Sequence, residues 1–228
     1  MGIQQYSCVL WDVDGTIADA SAGILPRIAT VLAELGKPPT PAERVNEWIG
    51  PPMLESFQTI AGLTADEALT AVTAYRALAS SHGYAESVRL YEGVADLIHD
   101  VALAGIPQST ASTKPQNQVQ AIFEHFGITD LFVAVHGARP EPDAHDTKAD
   151  VLGRALDDLA SRGIDLSKPV LIGDRHHDVD GATDHDVPVI FARWGFGSSA
   201  EEAGAQHVVD TPAELRVLLL GHSDASAA

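Results

Sequence analysis

Apolar positions along the chain follow two rhythms. Cys8-Val9-Leu10-Trp11 is a short unbroken apolar run, the pattern of a strand buried on both faces of a parallel sheet. From about Ala22 to Gly83 the spacing is helical instead. Ile24, Ile28, Val31, Leu32 and Leu35 share one helical face, and Gly36 with Pro38-Pro39 stops that helix. Thr40-Pro41-Ala42-Glu43 reads as an N-cap and a first-position proline opening a short helix that ends near Ile49. Gly50-Pro51-Pro52 breaks the chain again, and Thr64-Ala65-Asp66-Glu67 caps a further helix running to about Ser80.

From Gly93 strands and helices alternate. A helix at Val94 to Leu103 leads to a strand at Ile106 to Ala111, a helix at Pro115 to Phe126 to a strand at Leu131 to Val135. A helix at Thr147 to Leu159 then leads to a strand at Pro169 to Ile172, and a shorter helix to one at Pro188 to Phe191. Val208-Val209 predicts an edge strand before a last helix, Pro212 to Leu220, and the small polar tail from Gly221 reads as frayed. Such alternation predicts an α/β fold: a Rossmann-like parallel sheet core covered by helices, with an all-helical domain inserted after the first strand. The predicted bounds are 1–20 and 85–228 for the core and 21–84 for the insert. Gln108-Ser109-Thr110 fits poorly, being very polar for a central strand.

Composition narrows the function classes. The 228 residues are 45% hydrophobic, enough to fill a sizeable core. Fourteen Lys and Arg against 32 Asp and Glu give a formal net charge of −18, which argues against nucleic acid or an anionic membrane as partner. An anionic substrate therefore needs locally placed cations. Cys8, the single cysteine, lies inside the first predicted strand and reads as a small buried hydrophobe. No run approaches the ~18 apolar residues of a membrane span, and no signal peptide is visible, so the chain reads as cytoplasmic.

The candidate chemistry lies just after predicted strands, where open α/β sheets place their ligands. Asp12 and Asp14 follow the first strand, with Gly15 allowing the sharp turn. Two carboxylates crowded there repel unless a cation sits between them or one holds a proton. Ala111-Ser112-Thr113-Lys114-Pro115 offers hydroxyls and helix-opening N–H groups as a phosphate cradle. Lys148 stands at a helix start, where the macrodipole disfavours a cation. Leu171-Ile172-Gly173-Asp174 ends another strand in an acid, with Asp178 four residues on. The oxygen donors of Asp174 and Asp178 suit magnesium better than His176 and His177 suit zinc, since adjacent histidines point different ways.

In this order the four segments resemble the motifs of the haloacid dehalogenase superfamily. Asp12-Val13-Asp14-Gly15-Thr16 is similar to its first motif, Ser112 to its second, Lys148 to its third, and Asp174 with Asp178 to its acidic fourth. The helical insert and Gly50-Pro51-Pro52-Met53 resemble the cap and cap loop of the phosphoglycolate phosphatase-like branch. The resemblance implies a Mg²⁺-dependent phosphatase. Asp12 would be the nucleophile and Asp14 the acid and base. Ser112 and Lys148 would hold the phosphoryl oxygens, and Asp12, the Asp14 carbonyl, Asp174 and Asp178 the metal. Gly15, Thr16, Thr113, Lys114, Gly50, Pro51 and Pro52 would line the phosphate and substrate sites. The implied partner is a small phosphate ester, and the chain a monomer or weak homodimer. Two departures stand out. Lys114 is a second candidate for the phosphate lysine, and the loop Arg139-Pro140-Glu141-Pro142-Asp143-Ala144-His145-Asp146 sets acids close to Lys148. The alternatives are a phosphotransferase, since some similar chains carry a protein tyrosine kinase assignment, and a non-catalytic binding protein. No glycine-rich nucleotide loop supports the former.

Overall fold

The chain enters through β1 (Cys8–Trp11), turns at Asp12 to Ile17, and leaves through β2 (Ala18–Asp19). Three helices follow: α1 (Ser21–Glu34), α2 (Met53–Thr59) and α3 (Ala65–His82), with a 3-10 turn at Ala42–Trp48. The return is β3 (Arg89–Leu90), antiparallel to β2. Next come α4 (Val94–Leu103), β4 (Gln108–Thr110), β5 (Ser112–Pro115), α5 (Gln116–Phe126), β6 (Gly137–Ala138) and α6 (Lys148–Ser161). The chain ends in β7 (Pro169–Gly173), α7 (His176–Thr183), β8 (Val189–Ala192), β9 (His207–Val209) and α8 (Pro212–Leu220). This computed structural model describes residues 5–221, so all but the first residue of the polar tail lies outside the described residues.

Five strands make one sheet in the order β4-β1-β7-β8-β9, every pair parallel. Alternate residues of the central strands serve opposite faces, as a doubly covered sheet requires. Val9, Trp11, Val170 and Ile172 pack with Leu97 and Ile98 of α4, Ile122 of α5 and Leu215 of α8. Cys8, Leu10, Leu171 and Phe191 pack with Leu152 and Leu159 of α6 and Ala182 of α7. The buried faces of α1, α2 and α3 join the first of these clusters. Cys8 is fully buried, and burial pushes its thiol up to about 12, so it is inert at neutral pH.

Local chemistry explains most element ends. Thr64 caps α3 in a reciprocal box with Glu67 (2.8 Å from the Thr64 N–H to Glu67 Oε2), and Thr147 caps α6 with Asp150 in the same way. Four expectations are corrected. Thr40 does not cap a helix: its hydroxyl accepts the Trp48 indole N–H at 2.9 Å, Pro41 stands at the cap, and the turn is 3-10. The helix α2 went unforeseen, because Pro51-Pro52 reads as a break whereas Pro52 is its N-cap. Leu131 to Val135 is not a strand but a 3-10 turn (Thr129–Leu131) and an extended stretch touching β4 through one bridge, Ser109 to Ala134. Ser112–Pro115 is a strand paired with β6, so the helix opens one residue later than expected, at Gln116 with Pro115 as its N-cap.

The polar strand β4 now has its reason. Gln108 joins the Trp11 indole (3.1 Å) to the Ile98 carbonyl (2.9 Å). Thr110 Oγ1 both donates to and accepts from the His136 backbone at 2.7 Å. Side chains thus complete an edge that the broken strand beyond leaves short of backbone partners.

Candidate active site

The carboxyl ends of β1 and β7 bring three buried acids together. One carboxylate oxygen from each of Asp12, Asp174 and Asp178 lies within 4.8 Å of the others. All three side chains are at most 2% exposed. Lys148, at the first turn of α6, reaches into this cluster with Nζ 2.8 Å from Asp12 Oδ1 and 2.7 Å from Asp178 Oδ1. These contacts are ion pairs rather than well-aimed hydrogen bonds; the Lys148 ammonium donates to the Ala111 carbonyl at 2.7 Å. Burial alone would lower the lysine, but Asp12 and Asp178 outweigh it and hold the ammonium above the ordinary range.

Each acid is held by the backbone turns around it. Asp174 Oδ2 accepts the Phe196 N–H at 2.8 Å, and Oδ1 accepts the Thr16 hydroxyl at 3.2 Å. Asp178 Oδ2 accepts two backbone N–H groups, from Asp174 at 3.1 Å and Arg175 at 3.0 Å. Gly15 adopts φ +91°, and a Cβ there would stand 2.2 Å from Asp174 Oδ2, so both conformation and space demand glycine. Burial, then the Asp178 and Asp12 charges, push the Asp174 carboxyl well above its ordinary value. Burial also raises Asp178, against the pull of Lys148.

Fully ionised, three buried carboxylates facing a single ammonium would leave the cluster two charges too negative for a low-dielectric interior. Every donor is a carboxylate oxygen. The set therefore fits a hard divalent cation, which would cancel the excess.

Asp14 stands apart from this cluster. Its Oδ2 pairs with Lys114 Nζ at 2.7 Å, and its buried Oδ1 has no partner. Burial raises the Asp14 carboxyl above the ordinary range although Lys114 pulls the other way. The two candidate lysines thus divide the acids, Lys148 with Asp12 and Lys114 with Asp14. Asp14 and Lys114 line a cleft of about 250 Å³ between the core strands and the helical insert. Gly50, Pro51 and Pro52 form part of its other wall. Thr113, also lining it, donates to the Gly50 carbonyl at 2.6 Å and so ties β5 to that loop. Ser112 is buried and accepts the Lys114 N–H at 3.3 Å.

Some expectations shift. The Thr16 hydroxyl serves Asp174 rather than an open anion site. His176 and His177 do not diverge: their rings lie 3.9 Å apart, with His176 Nδ1 2.9 Å from Glu201 Oε2. The acid of the preceding loop nearest Lys148 in sequence is harmless to it. Asp146 is buried and neutralised by Arg139 (2.9 Å) and Arg154 (2.8 Å), which overcome the effect of burial and hold its carboxyl below the usual range.

Arg175 was missed in the sequence. Its guanidinium pairs with Glu201 at 2.8 Å and donates to the Asn46 carbonyl (3.2 Å) and the Ile49 carbonyl, fastening the insert's loop to α7. Its place directly after Gly173-Asp174 was the only available signal. Arg76 and Tyr75 of α3, which line the cleft, had none, because Arg76 meets the Pro140 carbonyl and Tyr75 lies near Lys114, Asp14 and Arg27, all distant in sequence.

Residues 9–192 match the family model described as haloacid dehalogenase-like hydrolase. The tyrosine-protein kinase PtkA of Mycobacterium tuberculosis is 34% identical over 190 residues, 83% of this chain. The chain spans only 62% of that protein's length. A 5'-nucleotidase of Pseudomonas aeruginosa is 33% identical over 96% of this chain and 97% of its own. The crystal structure of a predicted phosphatase from Clostridium acetobutylicum superposes with a TM-score of 0.87 at 30% identity, covering 95% of this chain and 99% of that one.

Proposed function

The chain belongs to the haloacid dehalogenase-like hydrolases, and on that premise we propose that it is a phosphatase of small soluble phosphomonoesters working through an aspartyl-phosphate on Asp12. The observation that carries the reading is the convergence of Asp12, Lys148, Asp174 and Asp178 in one buried cluster, with Asp14 beside it at the end of a cleft.

Each residue has a chemical reason for its part. Asp12 attacks phosphorus: the bond from its oxygen to phosphorus forms as the ester oxygen leaves. Lys148 orients that carboxylate and offsets its charge against an incoming phosphate. Asp14, whose carboxyl burial makes a stronger proton holder, gives its proton to the leaving oxygen. In the second half it takes a proton from water, whose oxygen attacks phosphorus and frees Asp12. Ser112 stands at the same strand edge as a donor for a phosphoryl oxygen. Asp12, Asp174 and Asp178 would hold a divalent cation, Mg²⁺ by the hardness of the donors, which relieves repulsion between carboxylate and phosphate when bound. Residues 21–84 form the cap over this site, and Gly50, Pro51 and Pro52 its substrate-facing loop.

The test is metal removal. Release of phosphate from p-nitrophenyl phosphate should vanish in excess chelator and return with Mg²⁺. Full activity after verified removal of metal would overturn the proposal. A second reading, transfer of the phosphoryl group to a tyrosine, is favoured by the mycobacterial kinase relative and is separated by the labelling experiment that closes the Discussion.

A further inference from the structure

The segments that enter and leave the insert enclose a second cavity, of about 220 Å³, on residues that take no part in the cleft. Gly23, Arg27 and Thr30 of α1 line one side, and His82, Glu86 and Ser87 of the returning chain line the other. Arg27 is only 7% exposed. Its Nε is buried with no hydrogen-bond partner among the described residues, and Nη2 donates to the Gly83 carbonyl at a long 3.3 Å. A guanidinium has five N–H donors, so most of this one's capacity is unanswered. The Tyr75 phenol lies beside it, but burial raises that group above its ordinary range, so it stays neutral and supplies no counter-charge. Asp14, which also faces Tyr75, is paired with Lys114 at 2.7 Å. A buried charge without a partner is costly, and here the charge is positive in a chain of net charge −18.

The cavity brings a second donor to Arg27. A Cβ on Gly23 would clash with Ser87 Oγ and stand 3.2 Å from Arg27 Nη2, so the hydroxyl and the guanidinium converge over one bare backbone position. A hydroxyl beside a guanidinium suits a small oxyanion. The volume, below the ~300–1,000 Å³ of usual ligand pockets, fits a group the size of phosphate rather than a whole nucleotide. One acid opposes an anion: Glu86 also lines the cavity, but it is exposed and solvent screens its charge.

We propose that this cavity is an oxyanion-binding site separate from the catalytic cluster, in which Arg27 and Ser87 hold a phosphate-sized anion. Such an anion compensates the buried guanidinium. It also touches α1 on one side and the chain returning to β3 on the other, and so ties together the two connections between core and insert.

The experiment is calorimetric titration of the full chain with inorganic phosphate, in chelator at low ionic strength. Without metal the carboxylates of the catalytic cluster repel phosphate, so the heat reads the second cavity. Wild type should bind one phosphate. Arg27→Gln should weaken binding by about 10- to 100-fold, Arg27→Lys should keep part of it, and Ser87→Ala should cost about 3- to 10-fold. Glu86→Gln, which removes the opposing charge, should tighten binding by about 2- to 5-fold. Ser87 and Glu86 are not buried, so their variants decide the matter if Arg27→Gln does not fold. No saturable binding by wild type, or an affinity unmoved by Arg27→Gln and Ser87→Ala, would overturn the proposal. Binding lost in Lys114→Met but kept in Ser87→Ala would put the anion in the cleft and overturn it equally. None of these outcomes touches the phosphatase reading, whose test is turnover with Mg²⁺.

Discussion

Replacing Lys148 by Met removes the only ammonium in the carboxylate cluster while keeping most of the side chain's volume. The wild-type ammonium stands 2.8 Å from Asp12 and 2.7 Å from Asp178, with a 3%-exposed side chain. Breaking a buried ion pair by deleting one partner costs about 3–5 kcal/mol, because the other charge is left uncompensated. Here two carboxylates lose their partner at once, so the upper part of that range applies. A chain of this length shifts by about 2–4 °C per kcal/mol, and at about 4–5 kcal/mol the melting temperature should fall by about 8–20 °C. The assay is thermal unfolding by circular dichroism at pH 7.5 in chelator, with Lys168→Met, an exposed lysine, as control; surface changes stay within about 0.5 kcal/mol. Added Mg²⁺ should then stabilise Lys148→Met more than wild type, since the variant's carboxylates have no other cation. A Lys148→Met protein within about 1 kcal/mol of wild type in chelator would refute the account of this cluster as a charge-compensated site.

Two further outcomes follow from the same geometry. Burial tends to raise Glu201, but hydrogen bonds from Arg175, His176 and the Ser198 N–H bring it down to about 2. A lowered folded-state value stabilises above the unfolded value and is lost as pH falls, so wild type should lose stability from pH 4.5 towards 2, and Glu201→Gln should flatten that limb in acid titrations followed by fluorescence. Gly15→Ala should abolish turnover and cut stability by more than about 1 kcal/mol, since φ is +91° and the new Cβ would meet Asp174 at 2.2 Å; a variant as stable and active as wild type would contradict this.

Much of the fold was legible because its signals are local. The apolar runs at Cys8 to Trp11 and Pro169 to Ile172 became adjacent parallel strands, and Thr64 and Thr147 capped the helices they precede. Leu131 to Val135 has a strand's composition and not its full pairing, because one backbone bond, from the Val133 N–H to the Gln108 carbonyl, joins it to β4 and side chains of Gln108 and Ser109 supply the other contacts. The polarity of Gln108-Ser109-Thr110 was the visible half of that arrangement. At the site, Asp12, Asp174, Asp178 and Lys148 were legible since each follows a strand or opens a helix at one sheet edge. The division of lysines was not, because Lys114 and Lys148 differ only in which acid the tertiary fold gives them. Arg76, Arg139 and Arg154 were equally hidden: their partners come from distant segments or from the turns of a polar loop.

The central claim is that phosphate passes through Asp12. Rapid quench of the enzyme with phosphorus-labelled p-nitrophenyl phosphate and Mg²⁺, followed by peptide mapping, addresses it directly. Asp14→Asn serves as the trapping variant, because it lacks the base that activates water while the good leaving group needs little protonation. The account predicts acid-stable, hydroxylamine-labile label on the peptide containing Asp12, and none once Asp12→Asn is added. Base-stable label on a tyrosine, label on any other residue, or wild-type turnover in Asp12→Asn would contradict it.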